Sequence, residues 1–138
     1  MSNQFFSPEG DLENYFVTEY WLIDQWVGDT LWTWGFNNNG QLGDNTTTTR
    51  LTPITTSVGG TNWKQVSCGE LHTTSIKTDG TLWVWGRNNL GQLGDNTTTT
   101  RTTPVTASTG GNNWKQVACG GYHTTAVTSG TDPTFFIS

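Results

Sequence analysis

The chain has 138 residues, with a formal charge of −5, 12% charged residues, 17 glycines, 8 tryptophans and 2 cysteines. This length holds one modest core or a short repeat array and excludes a multidomain enzyme. The low basic content leaves no footprint for nucleic acid, no apolar run is long enough for a membrane helix, and two cysteines make no disulfide framework.

Residues 1–29 form an acidic, aromatic-rich head. Glu9, Asp11, Glu13, Glu19, Asp24 and Asp29 lie here with no Lys or Arg, whereas the remaining acids and bases nearly cancel, so the charge belongs to the head. The first residues lack the basic and apolar regions of an export signal. Ser7 and Pro8 read as the N-cap and first position of a helix running to Gly28, which puts Leu12, Phe16, Tyr20, Ile23 and Val27 on one face. Alternatively, Trp21–Val27 is a leading strand, because Val27–Thr30 falls where later segments have a hairpin. Phe5, Phe6, Leu12, Phe16, Tyr20, Trp21, Ile23 and Trp26 either pack beneath the rest of the chain or dock on a partner with a basic rim around an apolar groove.

Residues 30–138 hold two copies of a unit of about 51 residues. Trp32, Trp34, Gly35, Gln41, Pro53, Trp63, Cys68 and His72 recur as Trp83, Trp85, Gly86, Gln92, Pro104, Trp114, Cys119 and His123 without insertion. Roughly two thirds of aligned positions are identical, which suits stacked units that need the same packing residue at each level. Within a unit, Lys64–Cys68 and His72–Ile76 are runs of β-formers (strands A and B). Lys77–Gly80 is a hairpin turn, Thr81–Trp85 is strand C, and Pro104–Ala107 is strand D, where proline points to a sheet edge. The order along the body is C–D, A–B–C–D, A–B, with a further strand at Phe135–Ile137: an all-β array of two blade equivalents.

The stretches Leu31–Gly43 and Leu82–Gly94, each reading Leu-Trp-x-Trp-Gly-x-Asn-x-x-Gly-Gln-Leu-Gly, precede Trp-Lys-Gln-Val-x-Cys-Gly-x-x-His-Thr at Trp63 and Trp114. Together they resemble the regulator of chromosome condensation repeat. The resemblance implies β-propeller blades, in a family whose members usually close rings of about seven. One member is a nucleotide-exchange factor for the small GTPase Ran that also docks on chromatin, and many others are binding platforms. Two blade equivalents leave open edges. The trailing A–B of one subunit can complete the leading C–D of the next in a homo-oligomer, a trimer making about six blades, or the arc can pack on a larger assembly.

The recurring Trp32, Trp34, Trp63, Cys68, His72, Trp83, Trp85, Trp114, Cys119 and His123 are read as repeat core. Each tryptophan pair of strand C shares one sheet face, as core or, if exposed, as a sugar platform. The Cys-x-x-x-His pairs are half a zinc site each, and are read as buried strand residues with the histidines bonded inside their own blade. The polar loops, with Asp44, Asn45, Arg50 and Asp95, Asn96, Arg101, are solvated connectors or ligand-facing loops repeated once per blade. Neither a catalytic cluster nor a metal or cofactor site emerges, and the Gly-Gln-Leu-Gly glycines read as turns.

Short repeat chains of this kind behind a non-repeat head are also similar to bacteriophage proteins. The leading expectation is therefore a non-enzymatic virion structural or attachment protein of tail, baseplate or capsid exterior. It would be made in the host cytoplasm, held to other virion proteins by the head, and would offer its blades to a host surface protein or glycan. The alternatives are a regulatory platform for a GTPase and a lectin-like ring.

Overall fold

The structure is a computed structural model and describes residues 28–130. Eight antiparallel strands form three sheets: β1 (Trp32–Gly35) with β2 (Arg50–Thr55); β3 (Trp63–Cys68), β4 (His72–Lys77), β5 (Leu82–Gly86) and β6 (Arg101–Thr106); and β7 (Trp114–Cys119) with β8 (Thr124–Thr128). No helix occurs among the described residues. The sheets are C–D, A–B–C–D and A–B, one full blade flanked by two half blades, in the order expected. Strand D differs from expectation: it begins at Arg101 instead of Pro104, because Gly86 pairs with Arg101 across a register shift. That shift lets the strand carry Pro104, which lies on the outer strand where no further neighbour needs its missing amide hydrogen.

The β4–β5 turn shows how local sequence sets register. The Gly80 amide donates to the Lys77 carbonyl at 2.9 Å, and the Lys77 amide to the Thr81 carbonyl at 3.0 Å. Gly80 has φ +85, a left-handed conformation that glycine adopts without a Cβ clash. Asp79 Oδ1 accepts from both the amide and the hydroxyl of Thr81, at 3.0 and 2.7 Å, which closes the turn. From there Ser75 pairs with Trp83 and Thr73 with Trp85.

Alternation along β5 sends its side chains to two different cores. Trp83 and Trp85 meet Trp63 and Leu31 on the side of the first sheet, while Leu82 and Val84 meet Ile76, Leu93 and Val117 on the side of the third. Trp63 meets both tryptophans edge-on, with centroids 6.2 Å apart, and the Lys77 ammonium lies 4.7 Å from Trp63 and 4.4 Å from Trp83. β4 is buried along nearly its whole length although Thr73, Thr74 and Ser75 are polar. Each hydroxyl donates to a carbonyl: Thr73 to Gln41 (2.8 Å), Thr74 to Ser67 (3.3 Å), Ser75 to Gln65 (2.5 Å). Paired in this way, they cost little to bury.

Candidate functional site

The polar loops are built from the inside outward. Asn37, fully buried, follows β1 and closes the loop as a hub: its Nδ2 donates to the carbonyls of Thr46 (3.1 Å) and Thr48 (3.0 Å) and to Asp44 Oδ1 (3.2 Å), while its Oδ1 accepts the Leu42 amide (2.9 Å). Asn88 does the same one unit later, with Thr97, Thr99, Asp95 and Leu93. The Gly-Gln-Leu-Gly segment between is a pair of turns, the Gly40 amide donating to Asn37 and the Gly43 amide to Gly40, each at 3.0 Å.

The carboxylates are committed inside the loops. Asp44 Oδ2 accepts Arg50 Nε at 2.7 Å, and its Oδ1 accepts the Thr46 hydroxyl at 2.6 Å and amide at 3.0 Å; Asp95 repeats this with Arg101 and Thr97. Burial alone would raise both pKa values, but the hydrogen bonds from the threonines, arginines and asparagines outweigh it and hold both below the ordinary carboxylate value. Of the loop residues read as solvated connectors or ligand-facing, Asp44, Arg50, Asp95 and Arg101 spend their paired atoms inside the loops, as braces. Asn45 and Asn96, at φ +66 and +65, stay exposed with the neighbouring threonines.

A second set of residues joins blade to blade. Gln65 Oε1 accepts the Val117 amide and Ser67 Oγ the Cys119 amide, each at 3.0 Å. Thr124 Oγ1 donates its single hydrogen to the Gln92 carbonyl at 2.7 Å, so His72 Nε2, 2.9 Å from that oxygen, is the donor of their contact. His72 thus carries a proton on Nε2, and its Nδ1 has no partner among the described residues. Burial pushes its pKa below the ordinary histidine value. Trp85 Nε1 donates to the Gln41 carbonyl at 2.8 Å, seating its ring against the first sheet's loop.

Residues read as one repeated core divide by position. Trp63, His72 and Trp85 are buried; Trp83, Trp114 and Cys119 are half-buried; Trp32, Trp34, Cys68 and His123 are exposed. The last four correct the expectation of a uniform core, because each occupies a place that a neighbouring blade covers at its counterpart one unit away. The histidine reading is corrected too: His72 bonds across to the next blade, not within its own. Cys68 and Cys119 are free thiols. Phe5, Phe6, Leu12, Phe16, Tyr20, Trp21, Ile23 and Trp26 lie outside the described residues, as does the further strand expected at Phe135–Ile137. Sequence reasoning missed Asn37, Asn88, Gln65 and the Thr73/Thr124 pair. The signal was present for all of them, since Asn37/Asn88, Gln65/Gln116 and Thr73/Thr124 also recur at the 51-residue spacing.

Comparison with known proteins matches this geometry. The family model described as the regulator of chromosome condensation (RCC1) repeat matches residues 29–76 and 79–127. The ultraviolet-B receptor UVR8 of Arabidopsis thaliana is 41% identical over 96 residues, covering 68% of this chain and 22% of that protein. A protein RCC2 homolog of Danio rerio is 37% identical over 92 residues, covering 65% of this chain and 19% of its own length. The crystal structure of Prp20p from Saccharomyces cerevisiae, described with its binding properties to Gsp1p and histones, superposes with a TM-score of 0.60 at 23% identity, over 72% of this chain and 24% of that one. The chain thus spans about a fifth to a quarter of the length of these relatives. With two consecutive matches over the part of the chain that carries the strands, the chain belongs to the regulator of chromosome condensation (RCC1) repeat family.

Proposed function

We propose that the chain is a non-enzymatic protein-binding platform that presents its paired loops, Asp44–Arg50 and Asp95–Arg101, to a partner protein. The observation behind this reading is that the two loops are copies braced by identical internal bonds. The exposed Asn45 with Thr47–Thr49, and Asn96 with Thr98–Thr100, are therefore held at a fixed spacing before any partner arrives. Preorganised surfaces of this kind bind with little ordering cost, and two of them on one body add avidity. The partner class proposed is a small GTPase. The family resemblance named one for a member of the family, and yeast Prp20p is described with binding to Gsp1p and histones. The acidic head, on this reading, adds a contact to a basic rim on the partner.

The virion reading rested on the head and draws no support from the relatives, which are cellular proteins of a plant, a fish and a yeast. Nothing among them points to phage origin or to glycan binding, and the regulatory platform takes precedence.

The test is a titration of the chain into a small GTPase loaded with a fluorescent guanine nucleotide. Saturable anisotropy change with nucleotide release at the basal rate is expected. Asp95→Ala, which unlocks one loop, is expected to weaken binding about tenfold. Accelerated release would replace the platform by an exchange factor, and absence of binding would remove the GTPase as partner.

A further inference from the structure

The described residues contain one complete contact of each kind between neighbouring blades, and the first and third sheets carry halves of those same contacts with no counterpart among the described residues. Inside the chain, the β7–β8 hairpin lies on β3 and β4 through Gln65, Ser67 and His72. On the opposite face the Trp85 ring sits so close to Gly43 that a Cβ added there would be 2.7 Å from its Nε1.

Shifted by one unit, every position exists and stands open. Trp34, the counterpart of Trp85, is 59% exposed where Trp85 is 0%, and Val66 is 47% exposed where its counterpart Val117 is 6%. Gly94, the counterpart of Gly43, has nothing within 4 Å of an added Cβ. Gly35 has nothing there either, whereas a Cβ on its counterpart Gly86 would lie 2.6 Å from the Leu71 carbonyl in the turn that leads into β4. Among the described residues the leading end begins with the C–D pair β1–β2, and the trailing end presents the A–B hairpin β7–β8.

The chain's own flanks carry the wrong residues for these places. At the 51-residue spacing Asn14, Phe16, Thr18 and Trp21 stand where the repeat has Gln65, Ser67, Gly69 and His72. A side chain at the Gly69 position collides with the histidine ring. Phe136 and Ile137 stand where the repeat has Trp85 and Gly86: the first lacks an indole N–H, and the second is β-branched at a position whose φ is +106. A second copy supplies Gln116, His123 and Thr125 at one end and Trp32, Trp34 and Gly35 at the other; of the two amide acceptors, Gln65 has its counterpart in Gln116, whereas Ser67 has Ala118, which has no hydroxyl.

We propose that the β7–β8 hairpin of one chain docks beside β1 of a second copy, completing a four-stranded blade across the two chains. The register is that of β4 against β5, which places Thr124 opposite Trp34 and Ala126 opposite Trp32. His123 Nε2 then donates to Thr73 of the second copy, whose hydroxyl hydrogen is already given to Gln41. Trp34 of the second copy donates to the Gln92 carbonyl, its ring filling the space over Gly94. The two patches differ, so the contact is head-to-tail and propagates until the copies close a ring.

Native mass measurement of the full 138-residue chain is expected to give a closed species at a whole multiple of the 15.2 kDa chain larger than a dimer. Gly94→Asn tests the contact itself. Asparagine tolerates the left-handed backbone, as Asn45 and Asn96 show, and the space is open in a single chain, so this variant should remain folded by circular dichroism and become monomeric. Gly111→Asn, also at positive φ in open space, should assemble as the wild type does. Trp34→Phe, which keeps a ring and loses only the indole donor, should weaken association about fivefold to tenfold. A wild-type monomer at every concentration, a two-fold dimer, or assembly unchanged by both Gly94→Asn and Trp34→Phe would overturn the proposal.

Discussion

Two asparagines and one histidine show how much a single side chain can decide in this fold. Asn88 is fully buried and makes bonds that a β-strand neighbour would otherwise supply, so Asn88→Ala leaves loop carbonyls and the Leu93 amide unpaired. A loss of about 2–3 kcal/mol in urea unfolding is expected, against less than about 0.5 kcal/mol for Asn89→Ala on the exposed side of the same loop. His72 is held neutral, with a folded pKa below its ordinary value of 6.5. The unfolded chain therefore binds a proton first, and the stability tied to this residue is full above about pH 6.5 and lost as pH falls through the folded pKa. His72→Gln should flatten that part of a stability–pH curve measured by denaturant midpoints. A second fall belongs to Asp44, Asp79 and Asp95, whose lowered pKa values place it below about pH 4 and leave it untouched by the histidine change.

Between elements, the junction of β3 with β7 depends on side chains reaching for backbone, not on a shared ladder. β7 donates two of its amides, those of Val117 and Cys119, to Gln65 and Ser67 and adds Val117 to the core of the central sheet. Removing those acceptors leaves amide groups near the core unpaired while the hairpin's own β7–β8 ladder stays intact. The double variant Gln65→Ala/Ser67→Ala should therefore release the hairpin as a unit. Hydrogen exchange at Val117 and Cys119 is expected to accelerate about tenfold or more, with exchange in β4 and β5 unchanged. If all strands lost protection together, the junction would instead be part of one cooperative core.

Over the whole molecule, identical residues carry different energies because a repeat array is energetically one-dimensional: each unit is stabilised by the neighbours it has. Trp63 is buried against Leu31, Trp83 and Trp85, whereas Trp114, its copy one unit later, is only half covered. Trp63→Ala should cost about 3–5 kcal/mol and Trp114→Ala less than half of that, compared by denaturant unfolding in dilute solution where a single chain is observed. Equal costs would mean that Trp114 is covered by something beyond the described residues.

How much of this could be read beforehand follows from the same physics. The 51-residue spacing, the alternation of Trp and β-formers, and the Lys77–Gly80 turn are local signals, and strand order and family were legible from them because each is set by side chains within a few residues. The start of strand D at Arg101 was not legible: a run of threonines and a proline has no clear period, and the register shift opposite Gly86 is fixed by pairing across the sheet. Trp34 and Trp85, or His72 and His123, cannot be distinguished by any local pattern, since their surroundings in sequence are nearly the same. Only the tertiary structure separates them. Burial is a property of what lies against a residue, and at the two ends of this chain the described residues place nothing there. The loops divide in the same way: their polarity was plain from composition, but that Asp44 and Asp95 turn inward to arginine and asparagine follows from the closure of each loop around Asn37 and Asn88. The net charge separates likewise. Its confinement to residues 1–29 is a matter of sequence, while the near-neutral body owes its braced loops to packing.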